Sequence, residues 1–187
     1  MNKVTDLTLK WLAQLAYEHE PLITLPIEQG WAPYLNFLYY LAEHMNPTWI
    51  VELGVLHGLS IAHLSAGSPS STVVGIDISL SGLCHELPCP NRVIFIEGDP
   101  LEIDLRFPLM TNLGIGILFI DSEHTYETTM AQYKKFRPLM VPGGVICLDD
   151  IHLGEGMDRV WQEISEPKIE LPMLHEGQSS FGVVICE

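Results

Sequence analysis

Five short apolar runs alternate with helical patterns between residues 49 and 165. The predicted strands are 49–53, 72–77, 92–99, 115–121 and 144–150. Apolar residues at helical spacing predict helices over 58–67, 125–139 and 156–165. Because uninterrupted apolar strands are typical of parallel sheets covered on both faces, the pattern predicts an α/β fold with a doubly wound, mostly parallel sheet.

The two ends of the chain complete this sheet. Helical spacing over 5–19 and 31–45 predicts two N-terminal helices. Near the other end, two apolar segments flank "GQSS" and predict an antiparallel C-terminal hairpin. A length of 187 residues suits one ordinary domain. We therefore expect a single domain over 1–187, with N-terminal helices in 1–46 and the sheet in 47–187.

The charge balance excludes some partners. The chain has 9 Lys and Arg against 24 Asp and Glu, a formal net charge of −15. Nucleic acids and anionic membranes require clustered cations, so we expect neither as a partner. No apolar run reaches the ~18 residues of a membrane span, and the amphipathic N-terminus carries acids, unlike a secretory signal. We expect a cytoplasmic protein with a small-molecule partner, and a homo-oligomer stays open.

Every predicted parallel strand carries an acid at or near its carboxyl end. In such sheets ligands bind outside these ends. The acids are Glu52, Asp77, Asp99, Asp121 and the pair Asp149–Asp150. A single Asp in such a place is most often a solvated turn residue or a helix cap. Acids at all five ends favour a common site along one edge of the sheet.

The segment "VELGVLHGLS" joins the first strand to its helix. Gly54 allows a sharp turn, and Gly58 allows a ligand or helix to approach the backbone. The segment is neither G-x-G-x-x-G nor a P-loop. Glu52 just before the turn disfavours a polyanion and favours a cation or a hydroxyl or amine donor. An ordinary strand-to-helix turn explains the glycines equally well.

The next two acids suit a nucleoside without phosphate. Asp77 can accept hydrogen bonds from the two hydroxyl groups of a ribose. Asp99, at the next strand end, can accept one from an exocyclic amine. A ligand with ribose, adenine and a positive charge meets these acids without repulsion, and S-adenosylmethionine fits that description.

At these residues the chain resembles the class I S-adenosylmethionine-dependent methyltransferases, which implies a Rossmann-like fold. "VELGVLHGLS" resembles their first glycine motif. The block "FIDSEHTYETTMAQYKKFRPLMVPGGVICLDDIH" resembles a small O-methyltransferase group with cephalosporin-hydroxylase and macrolide sugar methyltransferase relatives. Residues 78–91 depart from the family because the segment is short and contains prolines. The cofactor-binding residues that the resemblance implies are Glu52, Gly54, Gly58, Asp77, Asp99 and Asp121.

Metal-dependent relatives of the catechol and caffeoyl-CoA type imply a second set. In them, oxygen ligands at the ends of the fourth and fifth strands hold a divalent ion. The matching residues here are Asp121, Asp149 and Asp150, a hard oxygen set suited to Mg²⁺ or Mn²⁺. His124 stands where those relatives carry a lysine base, so Asp121 and His124 are the expected catalytic residues.

Other roles for the histidines stay open. His124 can instead be a metal ligand, a hydrogen-bond donor to the substrate or a residue that packs on the next helix. His152 lies two positions beyond Asp150 and could reach the same cleft, and the sequence leaves its role open.

The function expected from these residues is divalent-metal-dependent O-methylation of a small hydroxylated molecule, such as a sugar or natural product. Three alternatives stay open: a metal-independent N-methyltransferase, a cofactor-binding scaffold without catalysis, and a nicotinamide oxidoreductase. The missing dinucleotide fingerprint weakens the last of these.

Overall fold

A computed structural model describes residues 1–25, 32–89, 92–104, 114–174 and 179–187. Seven strands form one sheet in the order β3-β2-β1-β4-β5-β7-β6. β1 to β5 are parallel, and β7 is antiparallel to both β5 and β6. The strands are β1 Trp49–Leu53, β2 Thr72–Asp77, β3 Arg92–Glu97, β4 Ile115–Ile120, β5 Met140–Leu148, β6 Lys168–Leu171 and β7 Phe181–Ile185.

Five α-helices cover the sheet on its two faces. They are α1 Asp6–Glu18, α2 Pro33–Met45, α3 Leu59–Gly67, α4 Tyr126–Phe136 and α5 Glu155–Glu163. Side chains alternate along β1, so Ile50 joins the core beneath α1, α2 and α3, whereas Val51 joins the core beneath α4 and α5. This two-sided burial explains why the parallel strands are mostly apolar, and it confirms the predicted doubly wound fold.

Capping side chains define where two helices begin. The hydroxyl of Thr5 accepts a hydrogen bond from the Thr8 amide at the start of α1, and the hydroxyl of Thr125 accepts one from the Thr128 amide at the start of α4. α4 ends earlier than predicted, at Phe136, where a 3₁₀ turn over Arg137–Leu139 takes over. The strand predicted over 144–150 begins earlier, at Met140, so that "PGG" lies within β5.

The connection between β2 and β3 is short, as the sequence indicates. Residues 78–89 contain turns and no helix among the positions that the structure describes. In the next connection, residues 105–113 lie outside the described part of the chain. In the described ranges, every helix is too short or too polar to cross a bilayer.

Candidate functional site

A cleft of about 790 Å³ lies at the carboxyl ends of the parallel strands. Its walls come from the turn after β1, the ends of β2, β4 and β5, the loop after β3 and the first turns of α4. Gly54 and five of the predicted acids line it, namely Asp77, Asp99, Asp121, Asp149 and Asp150. Gly54 and Asp150, which are 96 positions apart in the chain, therefore meet at one edge of the sheet, because parallel strands end on the same side.

Gly54 allows the turn after β1 to pass directly over the end of β4. Its φ is +89°, and a Cβ atom there would lie 1.9 Å from the carbonyl oxygen of Asp121. The Gly54 amide donates to the Ile76 carbonyl oxygen at 2.9 Å, and the Asp121 amide donates to the Leu53 carbonyl oxygen at 2.8 Å. No other residue type fits this crossing, so Gly54 holds the turn against the acid at the end of β4.

Backbone amides surround the carboxylate of Asp77. Its Oδ2 accepts from the amides of Val55 at 2.7 Å and Leu56 at 3.1 Å, and its Oδ1 accepts from the Ser79 amide at 3.0 Å. Desolvation acts to raise the pKa of Asp77, but hydrogen bonds from the amides of Ser79, Leu56, Val55 and Ile78 outweigh it and lower the pKa. Asp77 is thus an ionised carboxylate that orders the turn after β1.

Glu52 lies beneath the same turn and is fully buried. Its Oε1 accepts a hydrogen bond from the hydroxyl of Ser60, and its Oε2 has no hydrogen-bond partner among the described residues. Burial, with a smaller contribution from the charge of Asp77, raises the pKa of Glu52 to about 8, against the opposing hydrogen bond from Ser60. Glu52 therefore holds a proton at neutral pH unless a positive charge comes next to it.

The loop after β3 forms the opposite lip of the cleft. Asp99, Pro100 and Leu101 line it, and the Leu101 amide donates to Oδ1 of Asp99 at 2.8 Å. From α4, the ammonium group of Lys135 donates to the carbonyl oxygens of Leu101 and Ile103, each at 2.6 Å. A lysine on a distant helix thus holds the lip that carries Asp99.

The imidazole of His124 points into a group of carboxylates at the ends of β4 and β5. Its Nε2 lies 3.7 Å from Oδ1 of Asp121, 3.9 Å from Oδ2 of Asp149 and 3.9 Å from Oδ2 of Asp150. This nitrogen is buried and has no hydrogen-bond partner within the described ranges. One ligand atom each from Asp121, His124 and Asp149 lie within 4.8 Å of one another, a spacing that can hold a metal ion.

The carboxyl group of Asp121 has the opposite character to that of Asp77. Burial is the first cause that raises the pKa of Asp121, followed by the charges of Asp149 and Glu52 and a hydrogen bond with Asp149. Close carboxylates cannot all be ionised in a partly dry site without a cation. A divalent ion would remove this conflict and give the unpartnered His124 nitrogen a bond, so the residues present fit a metal site.

Asp150 occupies a strained position beside this group. Its φ is +50°, which a non-glycine residue rarely adopts, and its Oδ1 accepts a hydrogen bond from the hydroxyl of Ser179. Although Asp150 was expected to be a metal ligand, the group within 4.8 Å contains His124 in its place. Asp150 lines the cleft next to the three, where it can contact a water or a substrate.

Besides the fully buried Glu52, two of the residues named from the sequence do not line the cleft. Gly58 does not line the cleft; its φ is +84°, and a Cβ there would meet the side chains of Leu87 and Leu83, so it serves the packing of the loop after β2. His152 is held away from the cleft by Asp158 of α5 at 2.5 Å and by Glu170 of β6 at 3.3 Å.

Tyr34 is a cleft residue that the sequence did not identify as a site residue. It lies in the first turn of α2, and its ring stacks on Phe181 with a centroid distance of 5.7 Å. Burial, then the charges of Asp121, Asp149 and other acids of the cluster, raises the pKa of its hydroxyl. Tyr34 thus stays a neutral hydrogen-bond donor beside the acids. Its sequence signals are its position ahead of the first strand, where methyltransferase relatives often place lids, and the helix-starting proline before it.

The same fold occurs in solved methyltransferases. An O-methyltransferase from Bacillus cereus in complex with SAH superposes with a TM-score of 0.61 at 20% identity, covering 98% of this chain and 92% of that one. The O-methyltransferase TomG from Streptomyces achromogenes, involved in tomaymycin synthesis and solved with SAM, gives a TM-score of 0.65 at 20% identity and covers 100% and 92%. The architecture is thus that of a class I methyltransferase.

Sequence comparison gives the family. The model of the methyltransferase-domain family matches residues 51–151, so the chain belongs to that family. An uncharacterised protein of Acanthamoeba polyphaga mimivirus is 30% identical over 111 residues, which are 54% of this chain. The chain spans about half the length of this curated relative. These findings confirm the resemblance to S-adenosylmethionine-dependent methyltransferases.

Proposed function

We propose that the protein is a divalent-metal-dependent O-methyltransferase that uses S-adenosylmethionine to methylate a small hydroxylated compound, such as a sugar or natural product. One observation carries the metal dependence: the buried Nε2 of His124, unpartnered among the described residues, lies within 3.9 Å of three carboxylates. A hard cation is the species that resolves both the missing bond and the repulsion.

The cofactor would occupy the side of the cleft formed by β1, β2 and the loop after β3. S-adenosylmethionine supplies an activated methyl group on a sulfonium. Around it, Asp77 can accept from the ribose hydroxyls while it keeps the turn ordered, and Asp99 can accept from the adenine amine. Glu52 and Ser60 lie at the base of the turn, where an amine or sulfonium charge would favour the ionised form of Glu52.

The metal would lie between Asp121, His124 and Asp149, and its chemistry there is to lower the pKa of a substrate hydroxyl. This assignment makes His124 a ligand through Nε2 instead of the base. Asp150 and the neutral Tyr34 hydroxyl are then the groups placed to orient the acceptor. With the acceptor oxygen held in line with the methyl group, orientation supplies much of the rate enhancement.

Two measurements test the proposal. Isothermal titration calorimetry of the protein with SAH should show one binding site. Absence of SAH binding would contradict the proposed methyltransferase function. Turnover of S-adenosylmethionine with a panel of hydroxylated acceptors should stop on addition of EDTA and return with Mg²⁺ or Mn²⁺. Turnover that ignores EDTA would favour the metal-independent N-methyltransferase. Binding of SAH and metal with no turnover on any acceptor would favour the scaffold.

A further inference from the structure

The outer face of α1 carries a line of apolar side chains that lies outside the cleft. Leu7 is 80% exposed, Trp11 is 60% exposed, and Leu15 is half-buried. Because side chains four positions apart lie on the same side of a helix, the three form one line, here called the α1 stripe. Single exposed leucines are ordinary, whereas a tryptophan between two leucines is typical of a surface that another protein covers.

The opposite face of α1 is already part of the core. Its buried residues are Leu9, Leu12, Ala13 and Ala16. The side chain of Asn36 in α2 also fixes the end of the helix, since its Nδ2 donates to the carbonyl oxygens of His19 at 3.2 Å and Glu20 at 3.1 Å. Rotation of α1 would bury the stripe only by exposing this core face. Covering the stripe therefore requires a second surface.

The charges of α1 are divided between its two ends. Residues 1–10 contain the two cations Lys3 and Lys10 and one acid, Asp6, whereas residues 11–20 contain the two acids Glu18 and Glu20. The helix dipole has the same direction, with its positive end at the start of the helix. The chain as a whole has a formal net charge of −15, so most other faces of two copies repel each other.

We propose that the α1 stripe is the interface of a homodimer, in which α1 of two copies packs antiparallel about a two-fold axis at Trp11. Residues equally far before and after Trp11 then face each other. Leu7 packs against Leu15 of the second copy, and Lys3 lies beside Glu18 of the second copy. The basic start of each helix thus meets the acidic end of the other, so the stripe is complementary to itself.

The size of the stripe sets the expected affinity. One exposed helix face supplies far fewer side chains than the roughly 20–30 residues that each partner contributes to a standard interface. We therefore expect a weak dimer, with a Kd of about 10–100 µM. The two Trp11 side chains meet at the centre of the interface, where truncation of an aromatic residue weakens association most.

Sedimentation equilibrium from about 1 µM to 1 mM protein measures this Kd. Trp11→Ala should raise the Kd for dimerisation at least about tenfold, and Leu7→Ala about threefold to tenfold. Leu153→Ala is the matched control, because Leu153 is a 57% exposed leucine before α5 and should leave the Kd unchanged. All three side chains are exposed, so the thermal unfolding midpoint of each variant should stay close to that of the unaltered chain.

Reversal of single charges tests the antiparallel arrangement. Lys3→Glu places an acid opposite Glu18 of the second copy, and Glu18→Lys places a base opposite Lys3, so each variant alone should dimerise at least about threefold more weakly. An equimolar mixture of the two variants restores both attractions and should regain the Kd of the unaltered chain. Because an acid before a helix and a base at its end suit the helix dipole, unfolding of α1 would not explain the weakening.

A chain that stays monomeric at about 1 mM would overturn the proposal. So would a dimer that Trp11→Ala and Leu7→Ala leave intact, or equal effects of Leu7→Ala and Leu153→Ala, because the contact would then involve another face. If single charge reversals leave the Kd unchanged, or if the mixture stays as weak as its components, the antiparallel pairing of α1 is wrong.

Discussion

Asp77 and Asp121 are both aspartates at the ends of parallel strands, yet their surroundings differ. Asp77 accepts three backbone hydrogen bonds at 2.7–3.1 Å, and its pKa is lowered. Asp121 lies against Asp149 and His124, and its pKa is raised by burial and neighbouring carboxylates. The backbone of the fold stabilises the ionised carboxylate of Asp77, whereas the carboxylate of Asp121 lies where the proposed metal ion would offset the repulsion from its neighbours. The acids at the strand ends thus form two groups. One group is held by backbone amides and orders the cleft, and the other points into the cleft, where we propose that a metal ion binds.

The largest effect should come from substitution of a proposed metal ligand. Asp149→Asn removes a charge from the proposed ligand group, and we expect kcat to fall on the order of 1,000-fold while the Kd for SAH changes less than about threefold. Steady-state kinetics and isothermal titration measure the two quantities. Glu155→Gln, an exposed acid at the start of α5, should change neither. A parallel loss of SAH binding would show that Asp149 serves the fold instead.

Asp77→Asn tests the proposed cofactor side of the cleft, where the Asp77 carboxylate orders the turn after β1. The amide keeps one acceptor oxygen but loses the charge that attracts the turn amides of Val55 and Leu56, so the Kd for SAH should rise about tenfold or more. The Kd for Mn²⁺ should stay within about twofold, because the metal ligands are on other strands. Weakened metal binding with normal SAH binding would reverse the assigned roles of the two regions.

Glu52 lies between the Asp77 and Asp121 regions. The pH dependence of its contribution to the free energy of unfolding tests the comparison further. Its folded-state pKa of about 8 is above the ordinary value of 4.5, so the folded state retains a proton that the unfolded chain loses. This contribution to stability is complete below about pH 4.5 and is lost as pH rises to about 8. Glu52→Gln should remove it, so the variant should gain stability over the natural chain by up to about 1.4 kcal/mol per pH unit across that interval.

Urea denaturation without cofactor, at several pH values from 5 to 8, measures this difference. The comparison between the two chains cancels the titration of shared groups that do not interact with Glu52. A difference in the free energy of unfolding that does not change with pH would show that Glu52 is ionised in its buried position.

The smallest effect concerns the lip of the cleft. Lys135→Met removes the two hydrogen bonds to Leu101 and Ile103, and we expect the Kd for SAH to rise about threefold. Lys134→Met is the control, since Lys134 is an exposed neighbour in the same turn of α4. Binding of Mn²⁺ should be the same in both variants. An equal rise in the Kd for SAH in Lys135→Met and Lys134→Met would mean that the change in net charge, and not the loss of the hydrogen bonds, weakens cofactor binding.

The sheet could be predicted from the sequence because helices cover both of its faces. Each parallel strand must then present apolar side chains on both faces, and it appears in the sequence as a short apolar run. Glu52, Asp77, Asp99, Asp121 and Asp149 could be assigned to one edge for the same reason. Side-chain direction could not be predicted. Nothing in the sequence indicates that His124 turns its Nε2 toward the carboxylates, or that the amides of the turn after β1 bind Asp77.

Long-range packing explains the residues that sequence reasoning missed. Tyr34 reaches the cleft because α2 packs its ring on Phe119 and Phe181, two strand residues distant in the chain. Lys135 reaches the lip because α4 lies next to the loop after β3. Conversely, Gly58 resembled a ligand-binding glycine, but its space is filled by Leu83 and Leu87. Each case depends on contacts between elements that local patterns do not encode.

Titration of the protein with Mn²⁺, followed by electron paramagnetic resonance, tests the central claim most directly. The account predicts one bound ion per chain, with affinity reduced at least about tenfold in Asp121→Asn and in His124→Ala, and unchanged in Glu155→Gln. Absence of stoichiometric binding in the unaltered chain, or binding that these ligand substitutions leave intact, would contradict it.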